Sequence, residues 1–149
     1  MTGWQLTIDC RDPRALVPFW AELLGYVPAP PPDGHDTWND WYRSIGVPTD
    51  ELDLDSDGTD RIVDPSGEGP RIWFQWVPEE KTIKNRLHID VFAGGDRSDT
   101  VDVRRDRVEN RVAELEALGA TVVERHDEPI EGHYHVIMAD PAGNEFCLA

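Results

Sequence analysis

DPAGNEFCLA, residues 140–149, opens with a tetrad that has a counterpart in DPSG at residues 64–67. Asp, Pro and Gly at these positions predict a tight turn. Each turn stands before a segment with strand alternation, RIWFQWV at 71–77 and EFCLA at 145–149. In the first, Trp73 and Gln75 share one face, with Ile72, Phe74 and Trp76 on the other. Working outward, RIV (61–63) and HYHVIMA (133–139) read as the preceding strands. Further out, LLGY (23–26) and ALGA (117–120) each close an amphipathic helix. The same order of helix end, strands, DPxG turn and closing strand occurs twice. It predicts a tandem duplication of one βαβββ unit.

In the first half, Trp4–Cys10 reads as a strand with Leu6, Ile8 and Cys10 on one face and Gln5, Thr7 and Asp9 on the other. Asp12 is placed as an N-cap, Pro13 as the first helical residue and Gly25 as the helix end. Ala15, Leu16, Phe19, Trp20, Leu23 and Leu24 form the apolar stripe, and Pro18 is its irregular member. PAPPPDG (28–34) predicts a stiff loop, and Thr37 caps an extra helix near 37–46. DLDSDG (53–58) resembles a calcium loop only superficially. Its twelfth position is Asp64 rather than a bidentate glutamate, so a solvated acidic loop is expected.

In the second half, LHIDVF (87–92) reads as a strand and Val101–Leu118 as a helix with Val108, Val112, Leu115 and Leu118 as its stripe. Ala120–Arg125 is the next strand, and His126–Gly132 is expected to be a loop. The modules are placed at 1–78 and 84–149, within a single domain of 149 residues. The fold class is therefore α+β. Two such modules predict two curved sheets, a cup-shaped and partly open β-barrel suited to holding a small-molecule ligand.

Fourteen basic against thirty acidic residues give a net charge of −16. That field disfavours nucleic acid and anionic membrane surfaces and tolerates a cationic small molecule. Cys10 and Cys147 are too few for a disulfide framework. With neither a leader nor a membrane-length apolar run in view, a cytoplasmic protein is expected.

DPRALVPFWAELLGY (12–26), KNRLHIDV (84–91), AELEALGATVV (113–123) and VIMADPAGNEFCLA (136–149) together resemble the vicinal oxygen chelate superfamily of glyoxalases, bleomycin-resistance proteins and ring-cleaving dioxygenases. WNDWYRSIGVP (38–48) and residues 63–91 resemble its bacterial glyoxalase-like domain subfamily. The resemblance implies a cup built from both modules. In metal-using members it also implies four inward ligands, commonly His, Gln and Glu, from the first and last strands of each module. Carried over one position at a time, these fall on Gln5, on the face of Arg71, Trp73 and Gln75, on His88 and on Cys147. Glu145 shares the Cys147 face two residues earlier. The carboxylates of the pattern are missing, so a resident metal or other cofactor is not expected. The remaining metal option is a divalent ion at the largely neutral set Gln5, Gln75 and His88, supported by Cys147 as thiolate with Glu145, which would favour zinc.

Several residues carry the functional reading. His88 is the candidate catalytic base, oriented by Asp90 on the same strand face. Its alternative is an internal histidine, with Asp90 paired to Arg86 or Lys84. Glu145 is the candidate acid-base partner, or else one half of an ion pair with a residue such as Arg71. Gln5, Thr7, Trp38, Trp41, Trp73, Gln75, Asp90 and Cys147 are the candidate ligand-binding residues. Trp20 and Trp76 are assigned to the core. His133 and His135 share a face and could form a metal pair, but rim histidines are the reading preferred here. Lys81, Lys84, Asn85 and Arg86 form the one basic cluster, which could hold an anionic substrate group but is expected instead to pair with Glu79 and Glu80.

Two functions follow. One is a small-molecule-binding protein with an aromatic, metal-free pocket that binds or sequesters a metabolite or drug. The other is a lyase or isomerase acting on a small oxygenated metabolite. A homodimer that completes the cup is compatible with either.

Overall fold

The computed structural model describes residues 3–128 and 132–149. The chain divides into two compact units, Met1–Glu79 and Glu80–Ala149. Each contains one four-stranded mixed sheet, and neither sheet closes on itself. No helix among the described residues is long and apolar enough to cross a membrane.

In the first unit, strand β1 (Gln5–Cys10) runs parallel to β4 (Arg71–Trp76), so Gln5 faces Arg71, Thr7 faces Trp73 and Asp9 faces Gln75. The order β1-β4-β3-β2 is completed by β3 (Arg61–Val63) and β2 (Val27–Pro28), both antiparallel additions. The short β2 falls at the start of the proline segment read as loop. Pro28 is tolerated there because the strand is at the sheet edge. Helix α1 (Pro13–Leu24) begins as the sequence indicates, with the Asp12 carboxylate accepting the Arg14 amide at 3.1 Å and Gly25 closing it at φ 68°. Pro18 lies inside the helix on its exposed side. Leu16, Phe19, Trp20 and Leu23 of α1 are buried, as are Ile62, Ile72 and Phe74 of the sheet. Trp76, assigned to the core from its alternation, is instead 62% exposed. It pairs with Cys10 at the last position of β1 and β4, beyond the apolar cover of the inner residues.

Helix α2 (Trp38–Ser44) is capped by the Thr37 hydroxyl, which accepts the Asp40 amide at 3.0 Å. Buried Asn39 donates to the carbonyls of Asp53 and Ser56, fastening the acidic loop to this helix. In that loop Arg14 donates to both Asp53 and Asp55 at 3.3 Å, so two of its carboxylates already have a cation from the chain itself.

In the second unit, β5 (Asp90–Val91) lies parallel to β8 (Glu145–Leu148). The order β5-β8-β7-β6 adds β7 (His133–Ala139) and β6 (Thr121–Glu128). Helix α3 (Val101–Ala117) buries Val108, Val112 and Leu115, and the sheet buries Val136, Met138, Phe146 and Leu148. Two sequence boundaries change. The strand read over 87–92 shortens to Asp90–Val91, because the Asn85 side chain takes over the main-chain partners of Glu145: its amide group donates to the Glu145 carbonyl, and its carbonyl oxygen accepts the Glu145 amide, both at 3.3 Å. In turn, β6 extends through His126 to Glu128, which the sequence placed in a loop, with a register irregularity between Val122 and Glu124. That irregularity puts Glu124, His126 and Glu128 opposite Ile137, His135 and His133.

The repeated turns do the same work in both units. Asp64 accepts from the Ser66 and Gly69 amides, and Asp140 accepts from the Ala142 and Asn144 amides. Gly67 and Gly143 take φ of 74° and 88°, a backbone region that a Cβ disfavours.

Candidate functional site

In each unit one sheet face is covered by its long helix. The opposite face carries the candidate functional side chains, and alternation decides which of them reach it. In the first unit that face holds Gln5, Thr7 and Asp9 from β1 and Arg71, Trp73 and Gln75 from β4. Gln5, Thr7 and Arg71 are exposed, whereas Trp73 and Gln75 are half-buried. Gly3, Trp4, Gln5 and Arg71 line an open hollow at one end of this face. Among the described residues nothing pairs with the Arg71 guanidinium.

The other end of the face is filled. Asp60 accepts from Tyr42 Oη at 2.7 Å, Trp73 Nε1 at 2.8 Å and Arg61 Nε at 2.7 Å. The Arg61 guanidinium lies 4.3 Å from the Trp38 ring centroid and 5.5 Å from that of Trp73. Trp38 is buried and donates its indole N–H to the Ala29 carbonyl at 2.8 Å, while half-buried Trp41 meets it edge-on at 5.5 Å. Burial, then the hydrogen bond to Asp60, pushes the Tyr42 hydroxyl up to about 12. The aromatic residues singled out from sequence therefore enclose a cation that the chain supplies, Arg61.

In the second unit, His88 Nε2 lies 3.1 Å from Asp90 Oδ1, and both side chains are exposed. Asp90 is therefore paired with His88, and Lys84 is paired elsewhere: its Nζ is 2.5 Å from Glu145 Oε2, instead of reaching Glu79 or Glu80. Cys147 faces Asp90 on one side and Ile137 on the other. Burial, and secondarily the charge of Asp90, pushes its thiol up to about 11.

These side chains do not suit the divalent ion that metal-using relatives would hold. Across from Gln5 stands a guanidinium, which repels a cation. Burial raises the Cys147 thiol, which opposes the thiolate form that zinc would draw on. The Glu145 carboxylate is already engaged by Lys84. Among the described residues, no three His, Cys, Asp or Glu side chains are placed to hold one ion.

Two features of these faces escaped the sequence reading. Arg61 looked like an ordinary strand residue, although its alternation with buried Ile62 placed it on the same face as Trp73. His126 was assigned to a loop, which hid its position beside His135.

Residues 5–149 match the model of the glyoxalase-like domain family. No curated protein matches the chain. Among solved structures, a hypothetical protein from S. aureus is similar over 99% of this chain and 92% of its own, with TM-score 0.60 and 13% identity. A glyoxalase/bleomycin resistance protein/dioxygenase family enzyme from Burkholderia phytofirmans PsJN covers 97% and 94%, with TM-score 0.54 and 20% identity. The fosfomycin resistance protein FosX from Mesorhizobium loti covers 99% and 89%, with TM-score 0.54 and 11% identity. At these identities the likeness extends to the fold. With the family model spanning nearly the whole chain, the protein belongs to the glyoxalase-like domain family.

Proposed function

We propose that the protein binds a small molecule bearing an anionic group, using Arg71 and Gln5 on the open face of the first sheet, without a metal at the family's usual ligand positions. The observation that carries this reading is Arg71, directly across from Gln5 and without a partner among the described residues. In a chain with thirty acidic residues, an arginine on a strand without a carboxylate partner is the exception. Its planar fork donates two parallel hydrogen bonds to a carboxylate or phosphonate. The Gln5 amide adds a donor, and Trp4 and Trp73 offer apolar surface to the rest of the ligand. The net charge of −16 opposes anions at long range, but salt screens that field beyond about 8 Å under physiological conditions, so direct contacts dominate. The cationic ligand suggested by the aromatic load is less well served, because Arg61 already occupies the Trp38–Trp73 space.

Calorimetric titration with benzoate, phenylphosphonate and benzylammonium tests the proposal. The two anions are expected to bind, with Arg71→Ala at least about tenfold weaker and Arg71→Lys between the two. Preferential binding of benzylammonium, or anion binding indifferent to Arg71→Ala, contradicts it.

One observation favours a second reading, a lyase or isomerase acting on a small oxygenated metabolite. The 3.1 Å His88–Asp90 pair orients an exposed imidazole as a general base would be. In that reading Glu145 is the acid-base partner, released from Lys84 when substrate binds. Turnover of a bound ligand that disappears in His88→Ala would establish it, and turnover unaffected by that substitution would end it.

A further inference from the structure

Three of the five histidines lie together on the open face of the β6–β7 hairpin. His126 and His135 are directly paired across the strands, with stacked rings 4.6 Å apart and 9° between planes. His133 lies two residues from His135 on the same face, with ring centroids 5.0 Å apart. None of the three coincides with the ligand positions implied by the family resemblance, which fall on β1, β4, His88 and β8.

Two further features set this cluster apart from ordinary surface histidines. His126 Nε2 and His135 Nδ1 are both buried and have no hydrogen-bond partner among the described residues. Glu124 Oε2 approaches His126 Nε2 at 3.3 Å but is not aligned as a hydrogen bond. Such buried polar atoms call for an explanation. The surroundings are also acidic: Glu128 stands opposite His133, and Glu128 and Asp90 both act on His135.

We propose that His126, His133 and His135 form a site for a borderline divalent transition metal, such as zinc or nickel, on the β6–β7 face. Neutral imidazoles are the natural ligands for these ions. The spacing fits. A metal–nitrogen bond of about 2 Å places two imidazoles on one tetrahedral ion with their centroids about 5 Å apart. The 4.6 and 5.0 Å spacings observed match that distance. As placed, the His126 and His135 rings are stacked and the His133 and His135 rings are tilted by 37°, and no three donors converge on one point. Rotation about the terminal side-chain torsion, broad for histidine, turns the nitrogens inward without moving the backbone. Glu124, Glu128 and Asp90 then lower the cost of placing a cation there and can hold the outer ring N–H groups.

The test is zinc chloride titration of tag-free protein in competition with a chromogenic chelator, with folding monitored by far-UV circular dichroism. Saturation at one ion per chain is expected. His135→Ala and the gentler His126→Gln should each weaken binding at least about tenfold, while His35→Ala leaves it unchanged. Lowering pH from about 7.5 to about 5.5 should weaken binding at least about tenfold, because the imidazoles must be neutral to ligate. The ring-proton resonances of His126, His133 and His135 should shift with zinc. Absence of saturable binding overturns the proposal. So does full affinity in folded His126→Gln, or loss of binding in His88→Ala with retention in His126→Gln, which would place the ion at the family's position.

Discussion

The two units share a plan but differ on their open faces. On the helix side they match: Phe74 and Phe146 are each buried, and an aspartate ties each DPxG turn. On the open side the first unit carries an inserted helix, an enclosed arginine and another that has no partner among the described residues. The second carries imidazoles, a thiol whose pKa burial raises and a carboxylate held by lysine. Alternation in strands explains how this is possible. Each residue serves one face only, so the open face can diverge without disturbing the core.

If the helix sides are equivalent, Phe74→Ala and Phe146→Ala should each cost about 3–5 kcal/mol in urea unfolding, the largest effects expected. A large difference between them would break the equivalence. The turns sharpen it. Asp140 is 3% exposed, so Asp140→Ala should cost about 1–3 kcal/mol by stranding amides within the turn. The more exposed Asp64 should matter less at neutral pH. Hydrogen bonds from the Ser66 side chain, then from the Ser66 and Gly69 amides, hold its carboxyl below the usual carboxylate range. Its stabilisation is therefore present above the unfolded value of 3.8 and is lost as pH falls through the lower folded value. Asp64→Asn should flatten that acid limb.

On the first open face, Asp60→Asn should lower the Tyr42 titration from about 12, read by tyrosinate absorbance, because burial would act without the carboxylate. Burial, then the charges of His126 and His133, lowers the His135 pKa from 6.5. The folded state then binds fewer protons than the unfolded one. Stability is full above 6.5 and declines as pH falls from there toward the lower folded value. His135→Gln should remove this small slope, while His35→Gln should leave it. The opposite slope would mean that the neighbouring carboxylates outweigh the histidine cluster.

Much of the scaffold was legible because it rests on local chemistry. Asp12, Pro13 and Gly25 delimit α1, Thr37 caps α2, and the DPxG echo marks the duplication. What was not legible depends on partners distant in sequence. Asn85 replaces a strand pairing with its side chain, which no alternation pattern reveals. Trp76 keeps the core alternation yet lies where the cover ends. The Trp38 and Trp73 rings were read as walls for a ligand. Their actual occupant, Arg61, became visible only once α2 was placed against β3. His88, placed by alternation on one strand with Asp90, lies outside β5, yet the two side chains pair at 3.1 Å.

The most direct test of the central claim is an amide-resolved NMR titration of the protein with benzoate in the presence of excess EDTA. Saturable shifts at Gln5, Thr7, Arg71 and Trp73 are expected, unchanged by the chelator. Shifts that appear only when a divalent metal is restored, or that gather around His88 and Cys147 instead, would contradict it.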